Sequence, residues 1–293
     1  MDVLESFYAQ RPTDGLYHYT DSIGLHAILS SKIMRATHIQ FLNDSSEFRH
    51  ALGMILARIE QAIAENIDER IAKMLFAIKD TVQGITPNTF VISFSENRDV
   101  LSQWRGYCPN GGYNIAFSPN MWDGLLEKNS YVMVKCKYEE HEQLELVNCL
   151  VESAIAAFPT FDPRPFVTNP SFVYTQDDMP NLFAGLWFWN RTQKLATAIK
   201  DRAFKEEGEW RVIGGLKKTK LADGIRTKGS LLVPYQEFSI ALHDSLNHVV
   251  TGITIGPNPN ANLAQFGVER FAYHCGITVP WDVAQSKVPY RQL

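Results

Sequence analysis

Phe90-Val91-Ile92-Ser93-Phe94-Ser95-Glu96-Asn97-Arg98-Asp99, with Trp104-Arg105-Gly106-Tyr107 close behind it, is the stretch on which the fold turns. Phe90-Val91-Ile92 is strand-like. Two hydroxyl residues then flank one aromatic, and a polar turn follows. Leu101 and Trp104 fall at helical spacing, and Tyr107 completes the same face three residues later. A strand ending in Ser-aromatic-Ser that hands over to an aromatic helical turn can line a pocket. The hydroxyls of Ser93 and Ser95 can fix a ribose or an amide, and the rings of Phe94, Trp104 and Tyr107 can stack on a flat heterocycle. The plainer alternative is a strand end closed by a serine turn, with its aromatics in the core.

Upstream, Gly15-Leu16-Tyr17-His18-Tyr19-Thr20 reads as a short strand. Asp21 or Ser22 can cap the helix that follows, with Ile23, Leu25, Ile28 and Leu29 as its apolar face. His18 is thereby set at a strand end just before a helix N-terminus, a place that favours anions. A half-buried, hydrogen-bonded histidine is the alternative. Ile33 to Thr37 is a second strand, and Asn43-Asp44 a turn. Ser45 or Ser46 can cap a long helix or helix pair carrying Leu52, Ile55, Leu56, Ile59, Ile63, Ile71, Leu75 and Ile78. Glu47 either complements the dipole of that helix or faces a pocket.

Downstream, Tyr113 to Phe117 and Tyr131 to Tyr138 read as strands, and Glu139 to Phe158 as a helix with Leu144, Val147, Val151, Ala154 and Ile155 inward. The prolines of 159–181 mark a surface crossover, and 182–200 a helix rich in aromatics. Phe204 to Ile213 is an acidic turn running into a strand, with Glu207, Glu209 and Arg211 on one face of an extended segment. A carboxylate with an arginine two residues on can be a fixed acceptor in a site, or a surface ion pair worth about 0–1 kcal/mol. Phe238 to Leu242, Val249 to Ile255 and Ile277 to Val279 are further strands, and Ala261 to Cys275 a helix.

With 293 residues, 45% of them hydrophobic, the chain can bury a proper core. A net charge of -4 argues against a general nucleic-acid binder but leaves room for a local basic groove. The N-terminus has no basic-then-apolar signal and no apolar run approaches 18 residues, so a soluble cytoplasmic protein with no membrane partner is expected. Cys108, Cys136, Cys149 and Cys275 are scattered, which suits reduced structural thiols rather than a zinc site.

The ordered set His18-Tyr19-Thr20, Leu42-Asn43-Asp44 with Glu47, Ser93-Phe94-Ser95 with Asp99, Trp104 and Tyr107, Glu209-Trp210-Arg211 and Ile255-Gly256-Pro257 resembles a widespread bacterial domain-of-unknown-function family. The resemblance runs from about Leu16 to the C-terminus, and some members of that family are associated with phage defence. More distantly, the order is similar to an ADP-ribosyltransferase. That likeness implies an α+β fold: a split, twisted β core in one domain over 1–293, with helical insertions at about 46–80 and 139–200. It implies that His18, with Tyr19, Thr20 and Asn43 beside it, grips the NAD ribose. Ser93, Phe94, Ser95, Trp104 and Tyr107 would shape the nicotinamide pocket, with Arg211 alongside. Glu209 would be the catalytic carboxylate, with Glu207 completing a Glu-x-Glu pair. NAD is the implied substrate, and no metal is expected. The acceptor would be nucleic acid or protein; a neutralising antitoxin and a homo-oligomer are the partners such an effector would have.

The chemistry is coherent. Breaking the nicotinamide–ribose bond builds positive charge on C1′, and a fixed carboxylate stabilises it. Two other classes compete with the transferase. One is a non-catalytic nucleotide-binding or sensor module that keeps the pocket. The other is a metal-dependent nucleic-acid-processing toxin using Asp44, Glu47, Asp99 and Glu209 as ligands, although these acids come from separate segments with no short ligand motif.

Overall fold

The computed structural model describes residues 3–42, 45–65, 68–158, 179–215, 221–242, 245–277 and 281–289. In chain order the elements are α1 (Val3–Ala9), β1 (Leu16–Thr20), α2 (Ser22–Ser31), β2 (Ile33–His38), α3 (Ser45–Glu65), α4 (Glu69–Gly84), β3 (Phe90–Ser95), α5 (Leu101–Tyr107), β4 (Tyr113–Phe117), α6 (Trp122–Asn129) and β5 (Val132–Lys135). They continue with α7 (Glu140–Ala157), α8 (Met179–Ala196), β6 (Glu209–Gly214), β7 (Gly224–Lys228), β8 (Leu231–Ser239), β9 (Val250–Ile255), α9 (Ala261–His274) and β10 (Asp282–Gln285). The fold is α+β.

These elements form two compact units. One takes residues 1–8, 39–89 and 137–202; the other takes 9–38, 90–136 and 203–293. The first is helical: α3 packs on α4, α7 and α8, and α4 on α8. Its buried face has helical spacing, with Ala51, Ile55, Ile59 and Ala62 on α3 and Leu75, Ile78 and Val82 on α4. The Gln193 side-chain oxygen accepts from Asn88 N at 2.9 Å and Thr89 Oγ1 at 3.0 Å, fixing the end of α8 to the chain after α4. The insertions expected at 46–80 and 139–200 thus gather in this unit.

The second unit is built on a twisted mixed sheet in the order β10-β9-β4-β1-β3-β2-β8-β7, with β6 added on β3 and β5 on β6. All pairings are antiparallel except β9 with β10. Strand β3 is central. Along one edge it pairs with β6 over its whole length, from Phe90↔Gly214 to Ser95↔Glu209. A strand has only two edges, so β1 and β2 must share the other. There β1 pairs at Tyr17↔Ser95 and β2 at Thr37↔Val91 and His38↔Phe90. Between those contacts, opposite Ser93, the sheet is split.

Period-two alternation assigns the faces. Leu16, Met34, Ala36, Ile92, Phe94, Ile115, Phe117, Trp210, Val212 and Phe238 form one buried cluster with Leu25, Ile28 and Leu29 of α2, Leu125 of α6, and Val268 and Ala272 of α9. Each leucine, isoleucine, valine, methionine or phenylalanine among them contributes on the order of 1.5–3 kcal/mol by leaving water. The Asp21 carboxylate caps α2 by accepting from Gly24 N at 2.7 Å.

Several expectations are corrected. Ile23 and Leu144 are exposed rather than inward, at 78% and 44%. The strand expected over 131–138 is confined to β5, because Cys136 and Lys137 bond outward to Glu209 O and Ala198 O. Strand β8 begins seven residues earlier than expected, at Leu231, and pairs with β7, which the sequence reading did not anticipate. Ile277 lies outside any strand and 278–279 fall outside the described residues, as do Asn43, Asp44 and most of the 159–181 crossover; the last strand of the sheet is β10. Among the described residues no helix is long and apolar enough to cross a membrane.

Candidate functional site

The face of the sheet opposite the apolar cluster is polar at its centre. Cross-strand partners project side by side, about 5 Å apart. Two registers, Tyr17↔Ser95 and Ser95↔Glu209, therefore put Tyr17, Ser95 and Glu209 in one row across β1, β3 and β6. The next row on this face sets Ser93 beside Arg211. Arg211 holds Glu209 bidentately, Nε to Oε1 at 2.8 Å and Nη2 to Oε2 at 3.0 Å, and both residues are buried. The expectation that Glu209 and Arg211 share a face is borne out, but the pair is internal rather than a surface pair.

Glu207 is placed differently. It ends a short 3-10 segment, Arg202–Glu207, and the strand starts only at Glu209. Gly208 between them has φ +50°, a left-handed conformation that takes Glu207 off the extended face. The two carboxylates are therefore not neighbours on one strand, as had been expected. The Glu207 contribution here is its carbonyl, which accepts from Ser95 Oγ at 2.5 Å. Ser95 Oγ also accepts from Asn97 N at 2.9 Å, so this hydroxyl clamps the turn after β3. Ser93 is half-buried, and its hydroxyl makes no hydrogen bond among the described residues.

His18 has the parity of Leu16, not of Tyr17. Its ring lies against Phe94, centroids 5.6 Å apart, and its Nδ1 is 2.9 Å from the Ser93 carbonyl oxygen. A carbonyl only accepts, so Nδ1 carries the proton and Nε2 the lone pair. The imidazole thus bonds β3 at the split, where neither β1 nor β2 pairs. Burial brings its pKa down to about 4, partly offset by the bond to Ser93 and reinforced by the charge of Arg226. His18 and Glu209 accordingly belong to opposite faces of the sheet, and the single cleft expected for His18, Ser93, Tyr107 and Glu209 does not form: Tyr107, at the end of α5, is exposed.

The remaining motif residues build a structural knot. Trp104 is buried, edge-on to Tyr19 at 4.6 Å between centroids, and its Nε1 donates to Asp99 Oδ1 at 2.7 Å. Asp99 also accepts from Ser286 Oγ at 2.6 Å and Lys287 N at 2.8 Å, tying the C-terminal segment down. Tyr19 donates to Asn97 O at 2.8 Å, and burial raises its pKa. A Cβ on Gly256 would stand 2.8 Å from the Trp104 ring, which is why the Ile-Gly-Pro run needs glycine. The Thr20 carbonyl accepts from Cys108 Sγ at 3.2 Å, and burial pushes that thiol up to about 12. Phe94 is core, edge-on to Phe117 and Trp122. Trp104 and Phe94 are therefore packing groups and not stacking platforms for a heterocycle. Among the expected metal ligands, Asp99 is taken up by three protein donors and Asp44 lies outside the described residues.

The helical unit has a concavity of its own, about 1140 Å³, lined by Glu47, His50, Arg58, His141, Lys200 and Arg202 among others. Lys200 is buried and Glu47 nearly so. The sequence reading left Glu47 between a dipole role and a pocket role; it sits in the first turn of α3 and lines this cleft. Among the described residues no group of three or more His, Cys, Asp or Glu is arranged to hold a metal ion.

No curated protein and no solved structure matches the chain. A family model does: residues 103–212, which include Trp104, Tyr107, Glu207, Glu209 and Arg211 but not His18 or Ser93–Ser95, match a protein family of unknown function, DUF2971.

Proposed function

We propose that the chain cleaves NAD, as an ADP-ribosyltransferase or an NAD glycohydrolase, on the polar face of the split sheet. The observation that carries the proposal is the row Tyr17–Ser95–Glu209 across three paired strands, with Arg211 fixing the carboxylate. An ionised carboxylate is the kind of acceptor that a ribose hydroxyl needs. The glycosidic bond breaks with its electron pair leaving on nicotinamide. C1′ turns cationic beside the carboxylate, and water or an acceptor hydroxyl or amine adds there and sheds its proton. The free Ser93 hydroxyl supplies a hydrogen bond for the carboxamide or ribose. His18 takes no part on that face; its Nδ1 bonds Ser93 O at the split instead. A role as a defence or toxin effector on nucleic acid or protein, in the cytoplasm and opposed by an antitoxin, belongs to the same proposal.

The test is nicotinamide release from NAD by the wild-type chain and by Glu209→Gln, per folded molecule. Release that falls about a hundredfold or more supports the reading. A specific observation favours a second one: Glu209 is only 3% exposed, as a structural ion pair would be. NAD or ADP-ribose binding with no nicotinamide release from the wild type would replace the enzyme by a nucleotide-binding sensor.

A further inference from the structure

The end of the sheet beyond β2 carries two arginines on one face. Arg35 on β2 lies over the Tyr235 ring of β8, 4.6 Å from its centroid. Arg226 on β7 reaches across β8 to donate from Nη2 to Thr37 Oγ1 at 2.7 Å. Thr37, Tyr235 and Arg35 share one face through the registers Thr37↔Tyr235 and Arg35↔Glu237, and Arg226↔Val233 puts Arg226 on it too. The two guanidiniums act on one another: burial, then the charge of Arg35, lowers the affinity of Arg226 for its proton. Glu237 stands opposite Arg35, yet neither arginine forms an ion pair among the described residues. The Arg226 Nε is buried and has no acceptor among them.

A buried guanidinium N–H without an acceptor is unfavourable, and two neighbouring cations repel. A protein retains such a cluster where something anionic fills it. Arginine pairs bind phosphate oxygens through their planar forks.

We propose that Arg226 and Arg35 form a phosphate-binding subsite, with Thr37 and Tyr235 as its walls, that takes the phosphate or pyrophosphate of a small nucleotide-like ligand. The site stands on its own geometry and does not require that NAD be cleaved.

The probes are inorganic pyrophosphate, ADP-ribose and phosphate-free adenosine, titrated calorimetrically into the full chain. Pyrophosphate and ADP-ribose are expected to bind and adenosine not to. Arg226→Gln and Arg35→Gln should each weaken binding about tenfold to a hundredfold, the scale of one charge-assisted hydrogen bond. Lys228→Gln, the same charge change at the exposed end of β7, should leave it unaltered. Arg35 is exposed, so its variant keeps the fold even if Arg226→Gln does not. Failure of the wild type to bind either phosphate probe would overturn the proposal, as would equal weakening by Lys228→Gln. A ten-nucleotide DNA strand that out-competes pyrophosphate and is lost on the same two variants would overturn the small-ligand assignment. Pyrophosphate binding lost on those variants, with no nicotinamide release from NAD, keeps this subsite and removes the transferase.

Discussion

The Arg211 guanidinium grips the Glu209 carboxylate through two parallel hydrogen bonds of 2.8 and 3.0 Å, with 2% and 4% of the two side chains exposed. Removing one partner of a buried ion pair costs on the order of 3–5 kcal/mol. The sequence alone had suggested under about 1 kcal/mol for Glu209→Gln, a figure for exposed pairs. The expected outcome is now a loss of that larger size in urea unfolding for Glu209→Gln and for Arg211→Gln. The double variant should lose clearly less than the sum of the two. If the pair is catalytic as well as structural, the double variant regains stability but not nicotinamide release. Additive losses would show that the two residues do not act as a pair.

His18 makes stability depend on pH. Its folded pKa is about 4 against an ordinary 6.5, so the native state resists protonation more than the unfolded chain does. The contribution is whole above pH 6.5 and is lost progressively as pH falls toward 4, on the order of 3 kcal/mol in all. His18→Asn removes the titrating ring while its amide can still donate to Ser93 O. Urea midpoints measured from pH 7 to 4.5 should fall more steeply for the wild type than for this variant. Parallel curves would mean that His18 is not the group responsible.

The Asp99 carboxylate anchors residues 286–287 to α5, and Asp99→Ala should release them. Trp104 Nε1, Ser286 Oγ and Lys287 N would each lose an acceptor. At about 1.5–3 kcal/mol per hydrogen bond to a charged group, exchange of the Lys287 amide should accelerate at least tenfold in hydrogen-exchange mass spectrometry, with the β6 amides unchanged. Uniform acceleration throughout would point to global destabilisation instead.

What could be read from the sequence, and what could not, divides along physical lines. Strands β1, β3, β4 and β9 alternate or run apolar between clear turn residues, so they were legible. The β7–β8 hairpin was not. Its signal is a two-residue Gly229-Ser230 loop with Gly229 at φ +57°, but β7 is mostly polar and Pro234 within β8 argues against a strand. The knot around Trp104 gathers residues that had been grouped only by a motif, and shows most of them to be packing. The parity of Leu16 and His18 was available and already sets His18 with the core. The shared face expected for Glu207 and Glu209 failed for want of one torsion, the positive φ of Gly208. Arg35 and Arg226 carry no local signal, because only the β2–β8–β7 pairing brings them together.

Gly185 sits at a close approach of α8 to α4, and it gives the last prediction. A Cβ there would fall 2.3 Å from Thr81 Oγ1 and 3.2 Å from its Cβ, with Ala77 O at 3.5 Å. Thr81 cannot simply turn aside: its hydroxyl donates to Ala77 O at 2.8 Å, and a β-branched side chain has few rotamers in a helix. In an exposed helix, glycine to alanine would stabilise by about 1 kcal/mol. Here the clash forces the helices apart, and overpacking of this kind costs on the order of 1–3 kcal/mol. Gly185→Ala should therefore lower the melting temperature, whereas Gly53→Ala in α3, where a Cβ meets nothing within 4 Å, should hold or raise it. Combining Gly185→Ala with Thr81→Ala removes the obstructing hydroxyl and should recover most of the loss. A Gly185→Ala variant that melts at or above the wild type would show that α4 and α8 do not approach closely at this position.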